Sequence, residues 1–378
     1  MKIVLAPDKF KGSLTALQFC NAVEEGFLVL NSDVEIIKLP LADGGDGTIQ
    51  IIDYYLKGKP IRIRVCNPFF QIITATYLYS ESSRIAYIEM AEASGIKLLK
   101  DKQLDCKNAT TYGTGQLILD AIERGAKQVI LGIGGSATND CGMGMAAALG
   151  YRFLDNENRE VKPIGLNLIH VRTIDSSKVH PRLKDICFKV ACDVSNPLYG
   201  SNGAAHVYAK QKGASLADVK LLDEGLEHFS KVLKKKFNID AQTVIGAGAA
   251  GGMGIAAKVF LKGDLQSGVE LIMALANFEE HIVEADWIIT GEGKLDVQTL
   301  SGKTINGVLT AARKKNIKVA AFCGMIELAN EQLKDYGIHY NDAVINHAKT
   351  EKDAMQNSYE HIREIAKIFA EKLMQIYI

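Results

Sequence analysis

Apolar positions fall into two rhythms: short unbroken runs, and longer segments in which they recur every three to four residues. Lys2–Ala6 is such a run, as a parallel strand buried on both faces requires. Ser13, with Thr15 close behind, is placed to cap a helix running to about Leu30. Val34–Leu39 reads as the next strand and about Thr48–Leu56 as a second helix. The C-terminal part repeats this grammar, with strands at Asp286–Thr290, Lys318–Cys323 and Asp342–Ile345 and a terminal helix from about Asp353 to Gln375. Between these ends, Ile61–Val65, Ile72–Tyr79 and Arg84–Met90 are β-rich and joined by short polar turns, which predicts antiparallel pairing. Beyond them the pattern gives a helix near Gly113–Arg124, a strand Gln128–Ile133, a helix near Gly142–Leu149 and a strand Ile186–Cys192.

The change of rhythm near Ile61 predicts a discontinuous architecture. Residues 1–62 and 284–378 form a doubly wound, parallel-sheet α/β domain, and residues 63–283 an inserted mixed α/β domain. A length of 378 residues suits two cores, with a ligand cleft expected between them.

Charge narrows the partners. Lysine plus arginine equals aspartate plus glutamate at 44 each, so no global field draws the chain to nucleic acid or an anionic membrane. Small-molecule substrates are expected, and oligomeric state is not legible. The N-terminal apolar run is too short for a signal-peptide core, and Val244–Ala257, the longest uncharged apolar stretch, is glycine-rich and short of the roughly 18 residues of a membrane span. A cytoplasmic protein is expected. Seven scattered cysteines without a C-x-x-C pair predict reduced thiols, and the eight histidines show no tight metal spacing.

In open α/β sheets, ligands bind beyond the carboxyl ends of the strands, where helix N-termini expose amides. Five such loops carry chemistry. Pro7–Ser13 brings Asp8, Lys9 and Lys11 to one turn, and Ala42–Thr48 combines three glycines with Asp43 and Asp46, which suit Mg²⁺ or a sugar-like hydroxyl. Gly134–Asp140 contains Ser136, Asn139 and Asp140 ahead of a small-residue helix. It reads as a cradle for an anion or hydroxy acid, or as close helix packing, which accounts for Gly144 and the alanines but not for the three polar residues. Cys192–Gly200 places Asp193 at a strand end, where a buried acid with a raised pKa can act as general base, or an ordinary Asx turn can form. Thr290–Thr304 ends in Gly-Lys-Thr, but Val297 stands where a P-loop needs its first glycine.

Gly246–Gly251 fits G-x-G-x-x-G. Asp264 arrives too early for the ribose-binding acid of a dinucleotide fold, so a flexible loop near the domain junction is the expectation there.

In order, APDKFKGSLTA (6–16), PLADGGDGT (40–48), GGSATNDCGMGM (134–145), CDVSNPLYG (192–200), GAGAAGGMG (246–254) and TGEGKLDVQTLSGK (290–303) resemble the bacterial glycerate kinases along nearly the whole chain. The resemblance implies a split Rossmann- or flavodoxin-like domain with an inserted α/β domain, and transfer of the γ-phosphoryl of ATP to D-glycerate, with 2-phosphoglycerate favoured. Three positions depart from the usual pattern: Asp46 for Glu, Cys141 for Gly and Lys294 for Arg. The last exchanges a bidentate fork for a point charge. On residue chemistry and motif position, Lys9 and Lys11, with Lys303, are candidates for phosphate charge, and Asp43, Asp46 or Asp296 for Mg²⁺. Asp193 is the candidate base, and Ser136, Asn139, Asp140 and Asn196 the candidates to orient the acid. Gly291, Glu292, Gly293, Gln298, Thr299, Gly302 and Lys303 are the candidates to approach the nucleotide. The alternatives are a kinase for another sugar acid or polyol, a non-catalytic nucleotide or hydroxy-acid sensor, and a dehydrogenase.

Overall fold

The computed structural model describes residues 1–30, 33–44, 47–99, 104–297, 299 and 304–376. The chain forms two units, Met1–Tyr55 with Gly268–Ile378, and Leu56–Ser267.

The first unit is a five-stranded sheet. With strands numbered along the whole chain, β1 (Lys2–Leu5), β2 (Glu35–Lys38), β11 (Trp287–Thr290), β13 (Lys318–Cys323) and β15 (Ile338–Ala343) lie in the order β15-β13-β11-β1-β2. All four pairings are parallel. Counted within the unit this is 2-1-3-4-5, the flavodoxin-like doubly wound order, whose switch point lies between β1 and β11. Central strands have water on neither face, so β11 is buried throughout and Ile3, Val4 and Leu5 of β1 are fully buried.

Thr15, not Ser13, caps the helix Ala16–Leu28. Its hydroxyl accepts from Gln18 N at 3.1 Å while Gln18 Oε1 accepts from Thr15 N at 2.9 Å. Phe19, Val23 and Phe27 then point inward at helical spacing. At Gly26 an added Cβ would lie 2.4 Å from the Arg363 carbonyl oxygen, so only glycine lets this helix approach Ser358–Ile376 so closely. The edge strand β15 begins earlier than expected. Its sequence IHYNDA alternates because one side meets water, and Val344–Asn346 is a 3₁₀ turn. The expected terminal helix is two, Glu351–Gln356 and Ser358–Ile376.

The second unit holds a six-stranded mixed sheet of β3 (Lys59–Cys66), β4 (Ile72–Ser80), β5 (Ile85–Glu89), β6 (Gln128–Gly132), β9 (Cys187–Ala191) and β10 (Asp264–Gln266). Its order is β10-β9-β6-β5-β4-β3. The pairs β3–β4 and β4–β5 are antiparallel as expected, and the rest are parallel. Two small pairs complete the strands: β7 (Arg152–Leu154) with β8 (Thr173–Asp175) in this unit, and β12 (Lys294–Leu295) with β14 (Met325–Ile326) in the first.

The unit boundaries fall at Tyr55/Leu56 and Ser267/Gly268, where the sequence pattern placed them at 62 and 284. β3 is paired along its length with β4, which carries the first boundary upstream. Val269, in the helix Gly268–Leu275, packs 2.7 Å from where a Cβ on Gly307 would stand, which ties that helix to the first unit.

Candidate active site

In the first unit the loops leaving the carboxyl ends of the strands enclose a cavity of about 490 Å³. The loop after β1 contributes Asp8, Lys9, Phe10 and Lys11, the loop after β2 Asp43, and the loop after β11 Glu292, Gly293 and Lys294. The cavity thus opens at the switch point, where two neighbouring connections diverge to opposite faces of the sheet. Met325, Val344, Ile345, Ala354 and Met355 add apolar surface to its lining. The lining offers charge for phosphate oxygens and apolar surface for a flat group.

Asp8 is buried. Its Oδ1 accepts from Lys9 N at 2.7 Å and its Oδ2 from the Thr304 hydroxyl at 2.5 Å. Burial holds the carboxyl above the ordinary aspartate range, against the pull of the Thr304 bond, and repulsion from Asp43 adds to the rise. Thr304 ends the Gly-Lys-Thr stretch, so its hydroxyl is committed to Asp8. Lys9 is half-buried and reaches toward the loop after β2: its Nζ lies 3.7 Å from where a Cβ on Gly47 would stand. Lys11 is exposed at the cavity's edge.

Of the residues expected near the nucleotide, Glu292 and Gly293 line the cavity. Gly291 serves packing instead, since its Cβ would meet the Phe322 carbonyl oxygen at 2.0 Å. Thr299 and Asp296 build a local turn, with Thr299 N donating to Asp296 Oδ1 at 3.0 Å and Thr299 Oγ1 lying 3.1 Å from Lys294 O. Lys294 is drawn to Glu327 at 2.8 Å and Asp296 at 3.8 Å. Asp46, Gln298, Gly302 and Lys303 lie outside the described residues.

In the second unit, β6 and β9 are adjacent and parallel, so the loops after them leave the same edge. The loop after β6 is held from inside. Asp140 is wholly buried. Its Oδ2 accepts from Thr111 N and Oγ1, both at 2.8 Å, and from Gly144 N at 3.1 Å, while Oδ1 accepts from Gly142 N at 3.2 Å. Burial still pushes its carboxyl above the ordinary range despite these bonds. Both oxygens are engaged by the chain, so Asp140 shapes the loop. Asn196 is engaged likewise, accepting from the Tyr208 hydroxyl at 2.6 Å and donating to Asn202 O at 3.0 Å.

Ser136 and Asn139 are different. Asn139 is fully buried, yet neither its amide oxygen nor its nitrogen has a hydrogen-bond partner among the described residues, and the same holds for Thr138 Oγ1. Orphaned polar atoms of this kind cost about 1–3 kcal/mol each unless something else meets them. Ser136 Oγ accepts from Lys212 Nζ at 2.6 Å. Asp193, two residues beyond the end of β9, is exposed, so of its two readings, buried acid or ordinary turn, it lacks the burial of the first; the chain there has already left the sheet.

The G-x-G-x-x-G segment has a structural purpose, and it is buried rather than a flexible junction. A Cβ on Gly251 would lie 2.2 Å from Thr138 O, and one on Gly252 2.8 Å from Cys141 Sγ. Ala250, Gly251 and Gly252 all take positive φ, so this backbone turns tightly against the loop after β6. Cys141, at φ 49°, takes part in the same contact, donating its N–H to Gly251 O at 3.0 Å.

A doubly wound parallel sheet with a charged and apolar cavity at its switch point defines an α/β protein of the ligand-binding kind. The chain belongs to the glycerate kinase family, whose model matches residues 3–374, and it is a kinase. It is 41% identical to a glycerate kinase of Halalkalibacterium halodurans over 97% of each chain. It is 40% identical to the glycerate 2-kinase of Escherichia coli over 99% of this chain and 98% of that one. Its fold superposes on a crystal structure described as a putative glycerate kinase 2 from Salmonella typhimurium LT2 with a TM-score of 0.86, at 38% identity, covering 99% of this chain and 98% of that one.

Proposed function

We propose that the chain transfers the γ-phosphoryl group of ATP to D-glycerate, giving 2-phosphoglycerate. The observation that carries this reading is the cavity at the switch point of a family member, lined by two lysines and by apolar side chains.

The base of ATP lies against Met325, Val344, Ile345 and Met355, and the triphosphate runs toward Lys9 and Lys11, with Gly293 giving its backbone room. Phosphoryl transfer gains mainly from positioning and from cations on the phosphate oxygens, and the two ammonium groups supply the latter. Asp8 and Asp43 are near enough to repel, which fits a divalent cation, since Mg²⁺ is commonly held by one or two carboxylates plus phosphate oxygens. Among the described residues no group of three or more metal-ligating side chains occurs, so a two-carboxylate site is the form that fits. Asp8 and Asp43 would hold Mg²⁺ there, and it would supply neutralising charge to the phosphates. Asp296, held in its turn, is the weaker candidate.

The acid is held by the loop after β6. Ser136 and Asn139 supply its polar contacts, Asp140 and Asn196 hold the loops in shape, and Asp193 takes the proton of the attacking hydroxyl.

A coupled assay of ADP release over D-glycerate, L-glycerate, other small hydroxy acids and glycerol tests the substrate, and ³¹P NMR of the product distinguishes the 2- from the 3-phosphate. Turnover with D-glycerate and a 2-phosphate resonance is the expected result. ADP release with glycerol or another acid at higher kcat/KM than with D-glycerate overturns the substrate, and a 3-phosphate overturns the position.

A further inference from the structure

Lys212 is a buried charge that none of these roles employs. It closes the 3₁₀ turn Lys210–Lys212 and is only 3% exposed. Among the described residues its ammonium makes two hydrogen bonds, to Ser136 Oγ at 2.6 Å and to Thr138 O at 2.8 Å. Both acceptors are uncharged and belong to the loop after β6. Taking an ammonium out of water costs several kcal/mol, so a residue needed only to brace a loop would do so more cheaply without charge.

Donor inventory decides what the contact does. A lysine ammonium can only donate, so Ser136 Oγ must accept, and the serine's own O–H proton is turned elsewhere. No acceptor for that proton is found among the described residues. In the same loop the fully buried Asn139 amide and Thr138 Oγ1 also have no partners among the described residues. The loop therefore carries a hydroxyl donor committed by Lys212 and an amide that can both donate and accept, chemistry that suits a carboxylate and a hydroxyl.

We propose that Lys212 is a positioning residue: by donating to Ser136 Oγ it commits the Ser136 hydroxyl to donate to the carboxylate of the bound hydroxy acid. The inference rests on the reading of the loop after β6 as the acid site. The charged and titratable groups facing Lys212 are Asp140, from the same loop, and the Cys106 thiol, whose backbone N–H donates to Lys212 O. Burial pulls the ammonium down from 10.5 to about 8, against the opposing influence of Cys106 and Asp140. A neutral amine can accept from Ser136, which frees the serine to turn away from the acid.

The test measures KM for D-glycerate and for ATP in the wild type, Ser136→Ala, Lys212→Met and the double variant, and follows KM with pH in the wild type and Ser136→Ala. Each single variant is expected to raise KM for glycerate about tenfold, the order expected for one hydrogen bond to a charged group. The double variant should be no worse than about twofold beyond either single, because one interaction is lost in both. KM for ATP should stay within about twofold. In the wild type KM for glycerate should rise above pH about 8, and in Ser136→Ala that rise should vanish, a comparison that holds even if Lys212→Met does not fold. A glycerate KM untouched by Ser136→Ala removes the loop from the acid site and this inference with it. A KM raised by Ser136→Ala but untouched by Lys212→Met, or a pH-dependence that survives Ser136→Ala, overturns the inference alone.

Discussion

Replacing Lys9 by alanine removes one ammonium from the cavity wall at the switch point. Lys9 is half-buried, its backbone N–H bond to Asp8 survives the substitution, and its side chain extends toward Gly47 rather than into the core. The fold should therefore be nearly indifferent. The phosphates should not be: at about 4 Å and an effective dielectric near 20, one unit charge against another is worth about 4 kcal/mol. Solvent screening of a half-open site reduces this, and about 3 kcal/mol corresponds to roughly a hundredfold loss in kcat/KM for ATP. A coupled ADP assay at saturating D-glycerate measures it, with thermal unfolding of the same preparations as control. A loss of about two orders of magnitude at unchanged Tm is predicted. Lys9→Ala within threefold of the wild type refutes the assignment of phosphate charge to this residue.

Asn139→Leu should separate stability from function: it removes a buried amide that has no partner among the described residues, so Tm should hold or rise while KM for D-glycerate rises at least tenfold. A fall in Tm with KM unchanged would show that the amide serves the fold. The depressed pKa of Lys212 also has a stability signature. The unfolded chain keeps that proton to about 10.5 and the folded chain loses it near 8, so between these values the unfolded state binds more protons and stability rises with pH. The full difference is about 3 kcal/mol. Urea unfolding of wild type and Lys212→Met at about pH 7 and about pH 10.5 should show the wild type gaining relative to the variant, and equal changes in both proteins would count against a protonated, buried lysine.

Much of this was legible in the chain because local rules agree with tertiary needs. Unbroken apolar runs such as Ile3–Leu5 and Trp287–Ile289 announce central parallel strands, and loops at their carboxyl ends announce where ligands go. What escaped notice was set by distant contacts. Met325, Val344 and Met355 carry no site signal in the sequence, and only the return of three separate segments brings them to the lining of one cavity. Lys212 sits in a Lys-Gln-Lys run that reads as a solvated turn, and its burial comes from docking on the loop around Ser136. Asp8 was seen beside Lys9, but its pairing with Thr304 spans 296 positions. For Gly246–Gly251 the spacing of Asp264 argued against a dinucleotide site, but the expected flexible loop is instead buried, because its glycines answer to the backbone of Thr138 and Cys141. Asp193 could be read as a buried acid or as part of an ordinary turn, and it is exposed because the chain exits the sheet one residue earlier than the apolar pattern suggests.

The central claim is that ATP occupies the cavity at the switch point of the parallel sheet. A crystal structure with a non-hydrolysable ATP analogue tests it most directly. Density for the base against Met325, Val344 and Met355, with the triphosphate turned toward Lys9, is the predicted result. Nucleotide density at Gly246–Gly251, with the cavity beside Asp8 empty, would contradict it.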